Sequence, residues 1–418
     1  MTRRARVEQA SVRSSPVLKG RTGTAGAALA GAVLITVAGC SSGGDGGGKG
    51  GDGGAKAADA VKLAITPATG TRQAAPDKPV TVTADNGRLT SVTLTYGTKN
   101  AEAKGKLAAD GKSWKSSWTL RPSTTYTVTA KGTGEGGKEV TATSTFTTLK
   151  PAKKLTSGMS PLDGETVGVG MPVQLLLSRP VSTKAGKIAV EKALEVRMSK
   201  PVEGAWYWIS DKEVDFRPRE YWPSGQKVKV IAHLAGLKVG EGVYGMKDRS
   251  ASFTVGPRHI TTIDAKKHRA TVTDGGRTVR TMKVSLGKPG HDSYSGTMIA
   301  QEKAKDIIMD SATTGDPGEY RIPTKWNVRL TYSGTFVHSA PWSTDAQGND
   351  NVSHGCVNAS PSDAKWFFDF TNRGDIVKVT GTSRRLQFGN GPTPWAKSWD
   401  GWLAGSATGR PVTGLPLT

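Results

Sequence analysis

The sequence predicts a mainly β protein with several domains, and three observations support this prediction. The chain has 418 residues, which is more than one hydrophobic core usually accommodates. Polar and apolar residues alternate over long stretches, for example in VTVTADNGRLTSVTLTYG, and this period of two is typical of half-buried strands. Helical patterns are confined to two short segments, 360–374 and 395–402.

Residues 1–39 are predicted to be a signal peptide for export. They begin with six Lys and Arg residues and continue with the apolar run AGAALAGAVLITVAG, which is too short for a membrane span. The run ends in VAGC, which resembles the bacterial lipobox and implies cleavage before Cys40 with a lipid on its sulfur. The expected location is the outer face of the cell membrane, facing the cell wall. The alternative is an ordinary signal peptide with an accidental cysteine.

Residues 40–60 contain this cysteine and a glycine-rich stretch without side chains for a core, so they are predicted to be a flexible linker. The formal charge is +22, and residues 1–39 contribute +5 of it, which leaves +17 after cleavage. This charge suits anionic partners, which outside the cell are lipid headgroups and acidic wall polymers and not nucleic acid. A merely solvated basic surface is an equally good interpretation.

Residues 61–150 are predicted to form a first immunoglobulin-like β-sandwich, because their length and alternating strands fit such a module. Asn86-Gly87 and Asp110-Gly111 are interpreted as hairpin turns, since glycine accepts the positive φ that tight reversals need. The aromatic side chains expected in the core are Trp114, Trp118, Tyr126 and Phe146.

Residues 151–256 are predicted to form a second immunoglobulin-like module, which also looks all-β. Its cluster Trp206, Tyr207 and Trp208 suggests either carbohydrate stacking or core packing. Packing is favoured, because alternate residues of a strand face opposite sides and at least one of the three should be buried. His233 lies in the strand VIAHLAG and is interpreted as a structural residue.

Residues 257–381 are predicted to form a third, β-rich domain with one helix. Two alternating strands flank TDGGR, which is a hairpin signal. The helix is expected to have Ser360 or Ser362 as its N-cap, Pro361 at an early position and its end at Gly374.

Residues 382–418 are predicted to be a tryptophan-rich C-terminal extension that packs on the third domain. Trp395, Trp399 and Trp402 are spaced i, i+4 and i+7, which is the period of a helix. A stripe of three large apolar faces should not remain in water, so the extension is expected to dock through it.

Cys356 is the residue that suggests a chemical function. If Cys40 is lipidated, Cys356 has no partner within the chain, and an odd thiol in an exported protein is a hazard unless it is buried or used. A nucleophilic thiol needs a neighbouring base, and His338 and His354 are both close in sequence. Gly355 leaves room for a carbonyl oxygen to approach backbone N–H groups, which favours acyl transfer through a thioester.

Three other interpretations of the thiol stay open: a buried inert cysteine, an intermolecular disulfide, and a zinc site made by His338, His354 and Cys356. The flanking SHG is polar and contains glycine, unlike a packed strand, and no paired ligand spacing supports zinc. We therefore expect neither a metal nor a cofactor.

The residues around this thiol resemble the signature of the L,D-transpeptidases. His338 is followed by SAPW, and SHGCVN from Ser353 to Asn358 is similar to the family motif of Ser or Thr followed by H-G-C-x-N. The resemblance covers residues 258–405, and the lipobox with two β modules looks like the lipid-anchored actinobacterial members with two immunoglobulin-like domains. It implies a β-rich, YkuD-type catalytic domain at 257–381.

The resemblance also implies roles for individual residues. Cys356 would attack the carbonyl that joins the third residue of a peptidoglycan stem to its terminal D-alanine, and His338 would take the thiol proton. The backbone carbonyl of Ser339 would orient His338. The residues implied at the oxyanion are Gly355, Cys356, His354 and Tyr320, and those implied at the substrate are Tyr320, Met309, Ser353, Asn358 and Trp342.

The implied reaction is the cross-linking of peptidoglycan. The acceptor would be a diamino-acid side-chain amine on a neighbouring stem, and water in its place would give carboxypeptidase activity. A carbapenem would mimic the donor amide. The expected partners are therefore donor and acceptor stem peptides and the membrane, with the protein acting as a monomer.

Two rival functions come from other classes. A papain-like or NlpC-type cysteine peptidase of wall peptides places its cysteine before its histidine, whereas here His338 precedes Cys356. A non-catalytic, wall-binding lipoprotein would not need an intact motif. The sequence leaves open whether His338 or His354 is the base.

Overall fold

The computed structural model describes residues 60–314 and 318–417. The predicted signal peptide, the lipidation at Cys40 and all but the last residue of the linker 40–60 lie outside the described residues. In the described part strands dominate and buried apolar side chains form three clusters, which confirms the mainly β class. No helix in this part is long and apolar enough to cross a membrane.

The first unit is a sandwich of two four-stranded sheets. Its strands are β1 (Lys62–Thr66), β2 (Thr81–Asp85), β3 (Arg88–Tyr96), β4 (Ala101–Glu102), β5 (Gly105–Leu107), β6 (Ser113–Ser116), β7 (Thr125–Thr133) and β8 (Glu139–Thr147). The strand orders are β1-β2-β6-β5 and β4-β3-β7-β8. Buried side chains from both sheets, such as Leu94, Tyr126 and Phe146, form the core between them.

Two predictions for the first unit are wrong. Asn86-Gly87 makes a turn but not a hairpin, because β2 and β3 belong to different sheets, whereas the turn at Asp110-Gly111 does join the paired strands β5 and β6. Trp118 is 42% exposed and not in the core. Its ring stacks on His233 of the next unit with 3.6 Å between ring centroids, so it covers the junction of the two units.

The second unit contains one helix that the sequence reading missed. Its elements are β9 (Lys153–Leu155), β10 (Ser157–Ser160), β11 (Thr166–Val167), β12 (Val173–Leu177), α1 (Lys184–Lys192), β13 (Leu194–Met198), β14 (Glu203–Ser210), β15 (Glu213–Pro218), β16 (Lys227–Ala232), β17 (Lys238–Gly240), β18 (Val243–Gly245) and β19 (Arg249–Val255). The helix begins after Thr183, whose side chain accepts the Gly186 N–H as an N-cap. Trp206 and Trp208 are buried in the core, as packing predicted.

The third unit is built on a nine-stranded sheet. Its elements are β20 (His259–Asp264), β21 (Arg269–Asp274), β22 (Arg277–Ser285), β23 (Gly296–Ile299), β24 (Lys303–Asp310), β25 (Arg321–Arg329), β26 (Phe336–Ser339), β27 (Val357–Ala359), α2 (Pro361–Phe370) and β28 (Ile376–Thr380), with short 3₁₀ turns at Ser311–Thr314 and Pro341–Ser343. The strand order is β23-β28-β20-β21-β22-β27-β26-β25-β24. The hairpin predicted at TDGGR is confirmed by the pairing of β21 with β22.

Helix α2 follows β27 and packs against β25 and β26 through Ala364 and Phe367. Ser360 is its N-cap, since the Ser360 side chain accepts the Asp363 N–H. The helix ends at Phe370 and not at Gly374, because Thr371 already has an extended backbone with φ −75° and ψ 133°. The helix therefore covers β26, which is the neighbour of β27, and β25 on the far side of β26.

The C-terminal extension contacts both the third and the second unit, but its tryptophans dock on the second unit, so their predicted docking on the third domain is wrong. It contains a 3₁₀ turn at Pro394–Ala396, helix α3 (Trp399–Leu403), β29 (Val412–Thr413) and β30 (Leu415–Pro416). β29 pairs with β14 and β30 pairs with β13, which are edge strands that would otherwise lack a neighbour on that side. The part of the extension up to the 3₁₀ turn contacts the third unit: the turn lies against β23, and the Leu386 N–H donates to the Ser295 carbonyl at 2.8 Å.

The three tryptophans of the extension surround Arg217 of β15 and do not form one helical stripe, because Trp395 lies in the 3₁₀ turn. The guanidinium carbon lies 4.6, 5.6 and 5.2 Å from the ring centroids of Trp395, Trp399 and Trp402. Burial lowers the pKa of Arg217 to about 10, so the side chain remains a cation at neutral pH. Aromatic faces attract a partly desolvated cation, which explains why the extension docks here.

Replacing Trp402 by alanine is expected to lower the free energy of unfolding by about 3–5 kcal/mol. The side chain is fully buried and its Nε1 donates to the Ala205 carbonyl at 2.9 Å, so the change leaves both a cavity and an unpaired acceptor. Urea unfolding of the full chain measures the loss. Trp342→Ala is the matched control. This ring is 52% exposed, so its removal should lower the free energy of unfolding by less than about 1 kcal/mol. Equal losses in the two variants would contradict the role of Trp402.

Candidate active site

Two neighbouring parallel strands bring the predicted catalytic residues together. β26 and β27 pair so that Val337 lies opposite Val357 and His338 lies opposite Asn358. Side chains at matching positions of parallel strands project from the same face, and so does the residue two positions away. Cys356, two residues before Asn358, therefore projects from the face that carries His338.

These side chains line a cavity of about 310 Å³, which is large enough for a segment of peptide. The lining residues are Met309, Tyr320, Ile322, His338, Trp342, Ser343, Val352, Ser353, His354, Cys356 and Asn358. Eight of the ten site residues predicted from the sequence are in this set. The other two, Ser339 and Gly355, are adjacent in the chain to His338 and Cys356 and were predicted to act through their backbones.

The loop that carries Cys356 is held by two serine hydroxyls. Ser353 Oγ donates to the Cys356 carbonyl at 2.7 Å and accepts the Gly355 N–H at 3.1 Å. Ser293 Oγ donates to the same carbonyl at 3.3 Å. Gly355 has a φ of 116°, a conformation that side-chain-bearing residues rarely adopt, so the glycine of the motif is required by the backbone.

The hydrogen bond from Gly355 to Ser353 bears on the predicted oxyanion site. The Gly355 N–H can donate to an oxyanion only if it shares or gives up the Ser353 hydroxyl. In this structure the Gly355 N–H therefore already has a hydrogen-bond acceptor. The oxyanion roles of Gly355, His354 and Tyr320 stay predictions.

The His338 ring is fixed in one tautomer. It is 3% exposed, and its Nδ1 lies 2.9 Å from the Ser339 carbonyl oxygen. A carbonyl oxygen only accepts, so Nδ1 carries the hydrogen and Nε2 carries the lone pair. Burial lowers the pKa of His338 to about 4, although the hydrogen bond to Ser339 opposes this shift. At neutral pH the ring is therefore an uncharged proton acceptor at Nε2.

The Cys356 side chain is a neutral thiol in this environment. Burial raises the pKa of Cys356 to about 11, while the Phe336 backbone N–H and the charge of Arg329 oppose the shift. The thiol donates to the Gly334 carbonyl at 3.4 Å. The cavity therefore holds a neutral thiol and a neutral imidazole and not a preformed ion pair, so a reaction at sulfur would require the thiol to lose its proton.

His354 has different surroundings at the mouth of the cavity. Its side chain is 32% exposed, and its Nε2 lies 3.1 Å from Glu319 Oε2 and 3.0 Å from Lys288 Nζ. Its ring centroid is 5.0 Å from those of Tyr320 and His291. These partners engage Nε2 of His354 with charged groups, so the geometry favours His338 as the base. Within the described residues no cluster of three His, Cys, Asp or Glu side chains could hold a metal ion.

The remaining predicted substrate residues lie around the same cavity. Trp342 is half exposed at its edge, with its ring centroid 6.1 Å from that of His338. Asn358 Nδ2 donates to Ser343 Oγ at 3.0 Å, which anchors the 3₁₀ turn that carries Trp342. Tyr320 is held by its backbone N–H, which donates to Ser311 Oγ at 3.1 Å.

Sequence reasoning missed several residues of the site. Ile322 lines the cavity two positions after Tyr320, and the period of two in a strand was a signal that could have found it. Gly334 accepts the thiol hydrogen bond from a position 22 residues before Cys356, and no local pattern marks it. Ser343 and Val352 likewise reach the cavity only through the tertiary fold.

Acid is expected to destabilise the fold through His338. The pKa is 6.5 when the ring is unperturbed and about 4 in the folded chain, so the unfolded chain binds the proton first as the pH falls. The stability present above about pH 6.5 should therefore decrease by about 3 kcal/mol as the pH falls to about 4. Urea unfolding of the full chain across this range measures the loss. The His338→Gln variant should lose less stability over the same pH range. Identical pH dependence of stability in both proteins would contradict the assignment of this loss to His338.

Comparison with known protein families gives two matches within the chain. Residues 71–238 match a bacterial Ig domain, and residues 258–379 match an L,D-transpeptidase catalytic domain. The first match includes parts of the first and the second unit. The second contains Cys356, His338 and the whole of the cavity lining.

Two curated relatives are similar over most of the chain. L,D-transpeptidase 2 of Mycobacterium tuberculosis (strain CDC 1551 / Oshkosh) is 39% identical over 351 residues, covering 83% of this chain and 85% of the relative. L,D-transpeptidase 5 of Mycobacterium tuberculosis (strain ATCC 25618 / H37Rv) is 34% identical over 361 residues, covering 84% of this chain and 78% of the relative. A solved structure of the LD transpeptidase LdtMt1 in complex with imipenem is 34% identical, with a TM-score of 0.47, and covers 55% of this chain and 100% of that chain. The chain is therefore an enzyme that belongs to the L,D-transpeptidase family.

Proposed function

We propose that this enzyme cross-links peptidoglycan stem peptides by acyl transfer through a thioester on Cys356. One observation carries the proposal: a thiol shares a cavity with a buried, neutral histidine whose Nδ1 is fixed by a backbone carbonyl. That arrangement provides a nucleophile and a proton acceptor without a metal ligand set or a carboxylate partner.

In the first half-reaction Cys356 Sγ attacks the carbonyl of the bond between the third stem residue and terminal D-alanine. The thiol must first turn from the Gly334 carbonyl, and its proton passes to His338 Nε2 as the C–S bond forms. The tetrahedral intermediate places negative charge on the carbonyl oxygen, where the N–H of Cys356 and the predicted donors Gly355, His354 and Tyr320 would act. The C–N bond then breaks, and D-alanine leaves with the proton from His338.

In the second half-reaction an amine on a neighbouring stem attacks the thioester. The acceptor ammonium first releases one proton to solvent, and its amine passes a second proton to His338 as the new C–N bond forms. The C–S bond breaks with its electron pair on Sγ, and Sγ takes the proton back from His338. The low pKa of His338 favours this return, because the ring does not retain the proton.

The location of the enzyme belongs to the same proposal. We infer that Cys40 carries a lipid that anchors the protein to the outer face of the cell membrane, and that residues 41–60 form a tether. The two sandwich units would then act as spacers that hold the catalytic unit toward the wall. Growth with a radioactive fatty acid tests the anchor: label should enter the wild-type protein and not Cys40→Ala.

The transferase reaction is tested by incubating the full chain with stems that end in a tetrapeptide and analysing the products by mass spectrometry. Dimers that have lost one terminal D-alanine per cross-link are expected, together with free D-alanine. Trimmed monomers alone would point to hydrolysis, and dimers that require a pentapeptide donor would contradict the proposal.

A further inference from the structure

Two charged side chains that contact His354 at the mouth of the cavity, Lys288 and Glu319, have no part in the proposed acylation chemistry. We call Lys288, Glu319 and His354 the rim cluster. His354 lines the cavity and lies within hydrogen-bond distance of both other members, at 3.1 Å from Glu319 and 3.0 Å from Lys288. Among the described lining residues, Val352 and Trp342 near the surface are apolar, whereas Lys288 and Glu319 bring a positive and a negative charge to His354.

The rim cluster cannot satisfy both of its charged members through the His354 nitrogen they share. Both contacts use Nε2, which carries either a hydrogen or a lone pair. With a hydrogen, Nε2 donates to the Glu319 carboxylate and cannot accept from Lys288. With a lone pair, it accepts from the Lys288 ammonium and leaves the Glu319 carboxylate without that donor. In either tautomer one charge at the mouth has hydrogen-bonding capacity for an incoming group.

Lys288 and His354 of the cluster lie on loops that are bonded to each other close to the nucleophile. The Lys288 N–H donates to the Ser353 carbonyl at 2.9 Å, three residues before Cys356. The turn that follows is tight, since a side chain at Gly287 would meet the His291 carbonyl at 2.0 Å. Ser293, at the end of this turn, donates to the Cys356 carbonyl. The loop that carries Lys288 and the loop that carries the thiol therefore form one unit.

We propose that the rim cluster is the binding subsite for the amino-acid head of the acceptor, with Lys288 binding its carboxylate and Glu319 binding its ammonium. This inference rests on the proposed transferase function. In a diamino-acid side chain the attacking amine and a carboxylate share one carbon atom, so a cation and an anion on either side of His354 match the two charges. Holding the carboxylate at Lys288 directs the neighbouring amine toward the thioester on Cys356.

The solvent-facing position of the cluster assigns it to the acceptor and not to the donor. The Glu319 and His354 side chains are 43% and 32% exposed, whereas His338 is buried beside the thiol. After acylation the donor fills the cavity, and the second substrate must approach from solvent. Lys288 and Glu319 are charged side chains that contact His354 at this solvent-facing edge. Once the ammonium has lost a proton to solvent, the amine attacks and His338 receives the second proton as described above.

The test separates the two half-reactions in the full-length protein. Acyl-enzyme is formed from a tetrapeptide donor, and its consumption is followed against two acceptors. One is a tripeptide stem ending in diaminopimelate, in the meso or LL form that the unaltered protein uses faster, and the other is the same stem with the side-chain carboxylate converted to an amide. Lys288→Met should raise the half-saturating concentration of the first acceptor about fivefold to tenfold and leave the second within about twofold. Glu319→Gln should raise both, because both acceptors carry the ammonium.

Lys106→Met is the matched control, since it removes one exposed lysine from β5 in the first unit. It should change the half-saturating concentration of neither acceptor. The rate of acylation by the donor should be unchanged in all three variants. Equal effects of Lys288→Met on the two acceptors, or slower acylation by the donor, would overturn the subsite while leaving the transferase reaction intact. Failure of the unaltered protein to form any acyl-enzyme at Cys356 would overturn the proposed function, and the subsite with it.

Discussion

Replacing Cys356 by alanine is expected to abolish transfer, with a loss of at least about 10⁴-fold in the rate of D-alanine release. The side chain supplies the only thiol among the described residues, and no other nucleophile of the cavity sits at the end of β26 or β27 beside His338. The same change should abolish labelling by a carbapenem. In the unaltered protein the thiol should open the strained lactam ring without losing any atom, so the intact mass should rise by the mass of the drug.

Cys356→Ser provides the control for this prediction. A hydroxyl keeps the size and the hydrogen bond to Gly334, but a serine at this position has no base strong enough to make it a comparable nucleophile. Its urea unfolding should match that of the unaltered protein within about 1 kcal/mol, while transfer falls by about 10³-fold or more. Transfer or a carbapenem adduct that survives in Cys356→Ala would exclude the thioester mechanism.

Replacing His338 by alanine is expected to slow acylation by about 10²- to 10⁴-fold at neutral pH. The thiol has a pKa of about 11, so almost none of it is ionised at neutral pH unless a base takes the proton. His354→Ala is the comparison, because this ring bonds Glu319 and Lys288 and should lower acylation far less. A larger loss in His354→Ala than in His338→Ala would assign the base to the other histidine.

The pH profile gives an independent readout of the same base. Acylation by the unaltered protein should rise as His338 loses its proton near pH 4 and then remain level, since neutral His338 is the active form. In His338→Ala the rate should instead rise about tenfold per pH unit toward the thiol pKa near 11, because only the ionised thiol can attack. Stopped-flow measurement with a carbapenem distinguishes the two shapes. A level profile in the variant would mean that another group takes the proton.

Much of the site could be predicted from the sequence because its chemistry is local. His338, Gly355 and Cys356 belong to two short segments, and strands of parallel register bring those segments together. The acceptor of the thiol hydrogen bond and the charges of the rim cluster could not be predicted in this way. Although Glu319 precedes the predicted site residue Tyr320, nothing in the sequence indicates the contacts of Gly334, Lys288 and Glu319. Only the packing of three separate loops places them near the thiol or His354.

The positions of strands and modules could be predicted from the sequence. The way in which consecutive strands connect within or between sheets was predicted less well. Alternation indicates that a segment is a strand but not which sheet it joins, so the turn at Asn86 was interpreted as a hairpin although it crosses between sheets. The helical spacing of the tryptophans was correct for only two of the three. Their docking site depends on Arg217, a residue of β15 that no local pattern connects with them.

The two short strands at the end of the extension have a consequence for the order of synthesis. Each completes a sheet of the second unit, yet the ribosome makes them long after their partner strands, since Leu415 pairs with Arg197 and Thr413 pairs with Glu203. Until then β13 and β14 are open edges that could pair with another chain. The catalytic unit is synthesised within this interval. A nascent chain therefore completes the sheets of its middle unit only after the segment with the nucleophile has been made, and premature termination would leave both edges exposed.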